Sequence, residues 1–262
     1  MNQDVNKLAG PLQKKCVVFL DILGFKELVK SAAKDVNSAE NIQTALEKIR
    51  RVGTAKQGLI PSANVTIFSD SVVISTDKDI SIVSQLIRRL AKMMWTLMCD
   101  GIWMRGGISM GLLADNSQSP WGPAFIDAYE TETRLAVHPR LVLSRTAYEW
   151  ISDQTDVSQL PIKRDINDGI YFLDVIGSGI TRLQDMPEAR QEFENIAKHI
   201  NSGHISSIDN PGVYQKYSWL CREWDRALGH RQVHHTMDLE PFYTDARQQS
   251  AGDFDIAALP KI

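Results

Sequence analysis

The chain has 262 residues, 43% of them hydrophobic and 23% charged, and a formal net charge of −3. Such a chain buries a real core and reads as one large globular domain, or as one domain with a substantial extension. The slightly acidic balance argues against a protein that depends on the electrostatics of duplex nucleic acid, and no stable nucleic acid binding is expected.

In chain order, Cys16–Leu20 is a short β-branched run and predicts a strand. Leu23-Gly24-Phe25 predicts a turn, Lys26–Ala33 a helix, and Glu40–Arg51 a second helix with Ile42, Leu46 and Ile49 on one face. Gly53–Ala63 reads as loop. Val65–Phe68 and Val72–Thr76 predict two strands joined at Ser69-Asp70-Ser71, a hairpin with Asp70 at its tip. Ile80–Cys99 carries Ile82, Leu86, Leu90, Met93 and Leu97 at helical spacing. Its charged residues make it an amphipathic helix rather than a span. Ile102–Met110 predicts a strand, Asp115–Pro123 a loop, Phe125–Val137 a helix, Arg140–Leu143 a strand and Thr146–Ile151 a helical turn or two. A second hairpin is expected from Ile162–Arg164 and Ile170–Val175 around Asn167-Asp168-Gly169. Glu188–Asn201 and Val213–Leu228 read as helices, with Trp219 and Trp224 as packing anchors, and Gln248–Ile262 reads as poorly ordered. The order suggests a mixed α/β (α+β) ferredoxin-like βαββαβ sandwich with a C-terminal helical extension.

Cys16, Cys99 and Cys221 show no Cys-x-x-Cys spacing and read as reduced thiols, so a cytoplasmic location is expected. The first residues hold no hydrophobic signal core, and no stretch approaches the roughly 18 consecutive apolar residues of a membrane span. No P-loop motif is present, and neither Ser69 nor Ser109 has a recognisable His-acid pair. His230, His234 and His235 cluster beside Asp238 and Glu240 without zinc-ligand spacing and read as surface or dimer packing.

Two aspartates interrupt strand-like sequence: Asp21 in Val17-Val18-Phe19-Leu20-Asp21-Ile22, and Asp70 in Ile67-Phe68-Ser69-Asp70-Ser71-Val72. A carboxylate in such a run costs burial energy unless something compensates it. In a β-α-β-β unit the end of strand one and the hairpin tip can meet at one end of the sheet. Two hard carboxylates there, with the Ile22 carbonyl, suit Mg²⁺ or Mn²⁺. The amides of Leu23, Gly24 and Phe25, opening a helix, suit an anion. Metal and helix N-terminus together make a triphosphate site.

These segments resemble class III nucleotidyl cyclases. Phe19-Leu20-Asp21-Ile22-Leu23-Gly24-Phe25 is similar to the first metal motif of that family, and Ser69-Asp70 to the second, usually Gly-Asp. Arg105-Gly106-Gly107-Ile108-Ser109-Met110-Gly111 resembles the strand that follows. Trp121-Gly122 with Glu130-x-x-x-Arg134 resembles the family's Trp-Gly and Asn-x-x-x-Arg segments. The likeness runs over Cys16–Ser144. It implies residues 1–152 as the catalytic core and 153–262 as a core-completing hairpin with a helical C-terminal extension. It also implies a homodimer with composite active sites and two Mn²⁺ or Mg²⁺ ions per site. Asp21 and Asp70 would hold the ions, and Arg134 of the other protomer would stabilise the transition state. Lys163 or Arg164 would match a basic residue near the phosphates.

The departures bear on the substrate. Thr66 stands where adenylate cyclases carry a purine-reading Lys, Asn116–Ser119 lacks the base-reading Asp, and Glu130 replaces the ribose-orienting Asn. The chain-wide pattern resembles the Pycsar pyrimidine cyclases of bacterial antiphage defence. That resemblance implies conversion of UTP or CTP to cUMP or cCMP, a second messenger that gates a separate effector. UTP and CTP both stay open. The rival expectation is a degenerate cyclase-homology domain that dimerises or binds nucleotide without turnover.

Overall fold

The computed structural model describes residues 11–52, 60, 63–115, 120–185 and 189–229. The strands are β1 (Leu12–Ile22), β2 (Asn64–Phe68), β3 (Ser71–Asp77), β4 (Met104–Ala114), β5 (Leu141–Leu143), β6 (Ile162–Arg164) and β7 (Tyr171–Leu173). The helices are α1 (Phe25–Ala32), α2 (Val36–Arg50), α3 (Ile80–Cys99), α4 (Pro123–Leu135), α5 (Arg145–Gln154), α6 (Val175–Asp185), α7 (Arg190–Ser206) and α8 (Pro211–Ala227). Much of the predicted 53–63 loop, residues 116–119, the three tail histidines and 248–262 lie outside the described residues.

The chain divides into two compact units. One comprises the residues up to Met93 with Trp103–Leu173; the other comprises Met94–Ile102 and the residues from Asp174 onward. The first unit carries a seven-stranded sheet in the order β2-β3-β1-β4-β5-β7-β6. Its β4-β1-β3-β2 half is antiparallel and is reached through the chain order β-α-β-β-α-β, the expected ferredoxin-like sandwich. β5 then pairs parallel to β4 after the α4 crossover, and the β6–β7 hairpin closes the other edge.

β1 is buried on both faces, as its unbroken apolar run requires. Val17 and Phe19 pack with Val73, Leu113, Ala124 and Ala128, while the alternate residues Cys16, Val18, Leu20 and Ile22 are buried on the other side. Burial pushes the Cys16 thiol up to about 12. α4 lies close on β4 because Gly107 and Gly111 offer it no side chain, and the small Ser109 between them donates its hydroxyl to the Ala124 carbonyl. A Cβ on Gly107 would overlap the Ala128 carbonyl oxygen, and one on Gly111 would sit 3.2 Å from the Ala124 Cβ. Gly107 and Gly111 of the Arg105–Gly111 motif are therefore packing residues for α4, while a Cβ on Gly106 would meet the Phe19 carbonyl oxygen instead.

The β6–β7 hairpin is held by charge. Arg140, just before β5, is buried and places Nη1 2.7 Å from Asp165 Oδ2, with a second contact to Asp168.

In the second unit Trp95 Nε1 donates to Glu192 Oε2 at 2.6 Å, and the rings of Trp95, Phe193 and Trp224 pack in series, each tilted 55° to the next. Trp219 and Trp224 are buried, as packing anchors should be. One expectation is corrected here. The strand read through to Val175 stops at Leu173, and α6 follows. Asp174 is the start signal: its Oδ1 accepts the Gly177 N–H at 3.0 Å, an N-cap bond. Gly177 and Gly179 mask the helical pattern, and Gly179 is small because a Cβ there would meet the Trp95 ring.

Two outcomes test this packing. Gly107→Ala should destabilise the protein by about 1–3 kcal/mol through overpacking. Arg140→Met, which strands the buried Asp165, should cost about 3–5 kcal/mol. Chemical denaturation of each variant against the wild type measures both, and unchanged midpoints would contradict the packing described.

Candidate active site

The site is built where the β1–β3 ladder ends. The pairing runs from Lys15↔Asp77 to Asp21↔Ser71, so Asp21 stands beside the residue that follows Asp70. One step on, the Ile22 N–H donates to the Asp70 carbonyl at 3.1 Å. The structure thus brings Asp21, Ile22 and Asp70 to the same end of the sheet, with both aspartates partly exposed.

The turn that delivers Asp70 passes through Ser69 at φ 58°, a left-handed conformation that disfavours residues with a Cβ. This explains in physical terms why a Gly-Asp pair suits this position.

Beyond Ile22, the Leu23 N–H donates to the Trp103 carbonyl at 2.9 Å, so that amide serves the fold. Gly24 at φ 73° turns the chain into α1 and accepts the Glu27 and Leu28 amides. The Phe25 and Lys26 amides at the start of α1 are donors without intrahelical acceptors by helix geometry. Helix polarity makes that end attractive to an anion.

Two rows of residues cross the sheet on the α4 side. The first is Phe68–Ser71–Asp21–Arg105, and the second is Thr66–Val73–Phe19–Gly107. Thr66 therefore stands on the same face as Asp21, one row back and two strands away. Tyr129 of α4 stacks edge-on against Phe19, with ring centroids 5.3 Å apart.

The other sequence-predicted residues sit on α4 and β6. Arg134 and Glu130 form an i,i+4 ion pair of 3.3 Å on the outer side of α4, where the Arg134 side chain is 71% exposed. Lys163 is on β6, the edge strand opposite β2, with its Nζ 5.3 Å from the Phe172 ring centroid.

Sequence reasoning left two members of the site without a role. Arg105 Nε donates to Asp21 Oδ2 at 3.3 Å, and Glu132 Oε1 lies 2.7 Å from the same nitrogen, in an ion pair not aligned as a hydrogen bond. Glu132 is only 3% exposed. Burial raises its pKa, while Arg105 and a hydrogen bond from Thr133 oppose the rise. The signal was legible: Glu132 follows Ala124 and Ala128 at helical spacing and breaks the buried stripe of α4, as Asp21 breaks β1.

Among the described residues no three side chains of His, Cys, Asp or Glu converge into a self-sufficient metal cage. Two carboxylates and a backbone carbonyl are instead a hard-oxygen set of the kind that holds Mg²⁺ or Mn²⁺ together with substrate phosphates and water. Among the described residues no helix is long and apolar enough to cross a membrane.

No protein-family model matches the chain, and no curated protein matches it. Solved structures similar to it include a bacterial light-regulated adenylyl cyclase, at 19% identity and TM-score 0.40, over 63% of this chain and 91% of that one. An adenylate/guanylate cyclase/hydrolase from Silicibacter pomeroyi matches at 14% identity and TM-score 0.39, over 62% and 94%. A class III adenylyl cyclase-like ATP-binding protein from Pseudomonas aeruginosa matches at 15% identity and TM-score 0.38, over 53% and 35%. At these TM-scores the likeness decides nothing about the chemistry of this chain, which rests on its own residues.

The left-handed turn yields a direct test. Ser69→Gly should stabilise the protein by about 0.5–1 kcal/mol, because glycine carries no Cβ penalty there. Ser69→Val should destabilise it. Thermal melts of the two variants should move in opposite directions; the same direction in both would contradict this turn geometry.

Proposed function

We propose that the chain is a nucleotidyl cyclase that converts a pyrimidine nucleoside triphosphate, UTP or CTP, to the 3′,5′-cyclic monophosphate and pyrophosphate. The observation that carries this reading is the meeting of Asp21 and Asp70 at one end of the β1–β3 ladder. Asp21, Asp70 and the Ile22 carbonyl would hold two Mn²⁺ or Mg²⁺ ions, whose chemistry is to lower the pKa of a ribose hydroxyl and to neutralise triphosphate charge.

The residues of the chain do the positioning. The Gly24 and Phe25 amides at the start of α1 receive phosphate oxygens, with Leu23 shaping the turn that presents them. The bond formed joins the ribose 3′ oxygen to the α-phosphorus; the bond broken links that phosphorus to the leaving pyrophosphate. Arg134 lies on the exposed side of α4, where it is accessible to a second copy. In a homodimer it enters the partner's site and stabilises the charge spread over the pentavalent phosphorus. Glu130, one turn away, accepts from the ribose hydroxyls, and Lys163 meets the phosphates from the same partner. Thr66, on the Asp21 face, lies near the base and lacks the reach of a purine-reading lysine. The biological role follows the Pycsar resemblance: a cytoplasmic antiphage enzyme, built on residues 1–152 and extended by 153–262, whose product gates a separate effector.

A second reading is favoured by one contact. Arg105 Nε donates to Asp21 Oδ2, and a carboxylate paired to guanidinium is a weaker metal ligand. Under that reading the domain binds nucleotide or dimerises without turnover.

Incubation with each of the four NTPs and Mn²⁺, followed by mass spectrometry, separates the two. cUMP or cCMP is expected; no cyclic product from any NTP would leave only the second reading. Arg134→Ala should lower kcat by about 10³-fold or more. Asp21→Ala should be inactive while its circular dichroism stays unchanged. Mixing Asp21→Ala with Arg134→Ala subunits should restore activity, because one composite site in the mixed dimer is intact. Failure to restore it would place Arg134 outside the partner's site.

A further inference from the structure

We infer that Glu132 is a positioning residue that holds Arg105 partly off Asp21 and so keeps the Asp21 carboxylate available to a divalent cation. The inference rests on the cyclase reading above and concerns the chain's own residues around that site.

Three observations carry it. First, the Arg105 Nε–H donates to Asp21 Oδ2 at 3.3 Å, while Glu132 Oε1 lies 2.7 Å from the same nitrogen as an ion pair not aligned as a hydrogen bond, so the guanidinium charge sits closer to Glu132 than to Asp21. The nearer partner is the one that no metal site needs. Second, the two partners differ in environment. Glu132 is buried under α4, whereas the Asp21 side chain is 21% exposed. A buried carboxylate without a counter-charge is costly, so Glu132 depends on Arg105 more than Asp21 does. Third, Glu132 is itself held in place. Thr133 Oγ1 donates to Glu132 Oε2 at 2.9 Å, leaving Oε1 for the guanidinium. The backbone is equally constrained, since Gly107 of β4 lets this turn of α4 approach the sheet.

The consequence is a division of charge. With Glu132 ionised, Arg105 is neutralised from the α4 side, and Asp21 keeps most of its negative charge for a cation approaching from the open end of the ladder. Without that carboxylate, Arg105 has Asp21 as its remaining acidic partner and competes directly with the metal. Partners one step removed from a metal ligand tune affinity in this way without touching the ion.

The test is Mn²⁺ binding by electron paramagnetic resonance, with no nucleotide turnover in the readout. Glu132→Gln keeps the shape and the Thr133 contact and removes the charge. It should weaken Mn²⁺ binding by roughly 10–100-fold. Arg105→Gln removes the competitor and should bind Mn²⁺ at least as tightly as the wild type. The double variant Arg105→Gln/Glu132→Gln should recover the affinity lost in Glu132→Gln. A purely structural role for Glu132 predicts no such recovery. Equal Mn²⁺ affinity in the wild type and Glu132→Gln would overturn the inference and leave the cyclase reading standing. If Glu132→Gln does not fold, Arg105→Gln decides, and weaker binding in that variant would overturn the inference. A wild type that binds no Mn²⁺ and makes no cyclic nucleotide would overturn the cyclase reading itself, and the inference with it.

Discussion

The site depends on β1 being hydrogen-bonded along both edges. β3 on one side and β4 on the other hold it in register through Asp21, so the position of that carboxylate is set by two ladders at once. A one-residue slip in either would send Asp21 to the opposite face and Ile22 into its place. The register therefore does more than build the sheet. It places Asp21 between Ser71, which leads back to Asp70, and Arg105, which leads across to α4. Each neighbour of Asp21 arrives on a different strand.

α4 supplies the second constraint. Its inner side carries Ala124, Ala128, Thr131 and Glu132, all buried, and its outer side carries Glu130 and Arg134 in a solvated ion pair. The small inner residues and the glycines of β4 allow a close approach, and that approach brings a carboxylate within 2.7 Å of Arg105. Burying Glu132 carries a desolvation cost that the guanidinium offsets. One helix thus holds two charged pairs with opposite fates, one with its carboxylate buried against the sheet and one facing outward.

Much of this was legible along the chain. Ile80–Cys99 is a helix over the span its apolar spacing predicts, and the hairpin around Ser69-Asp70-Ser71 forms where two β-branched runs flank a polar turn. Boundaries were less legible. β1 extends back to Leu12 through Gln13, Lys14 and Lys15, which carry no strand signal of their own and are recruited by pairing with β4. α6 was hidden because Gly177 and Gly179 dilute its periodicity, although Asp174 marks its start. Glu132 falls on the Ala124–Ala128 side of α4 by spacing alone, but its ion pair with Arg105 becomes visible only once α4 packs on β4.

The sequence by itself determined the alternation of elements, the two carboxylates that break apolar strands and the turn between them, because these are local matters of periodicity and backbone preference. Only the tertiary structure decided that Asp21 and Asp70 are neighbours, that Arg105 lies between Asp21 and Glu132, and that Arg134 is on the exposed side of α4. Those relations come from ladder register and helix approach, which join residues far apart in the chain and which no local pattern encodes.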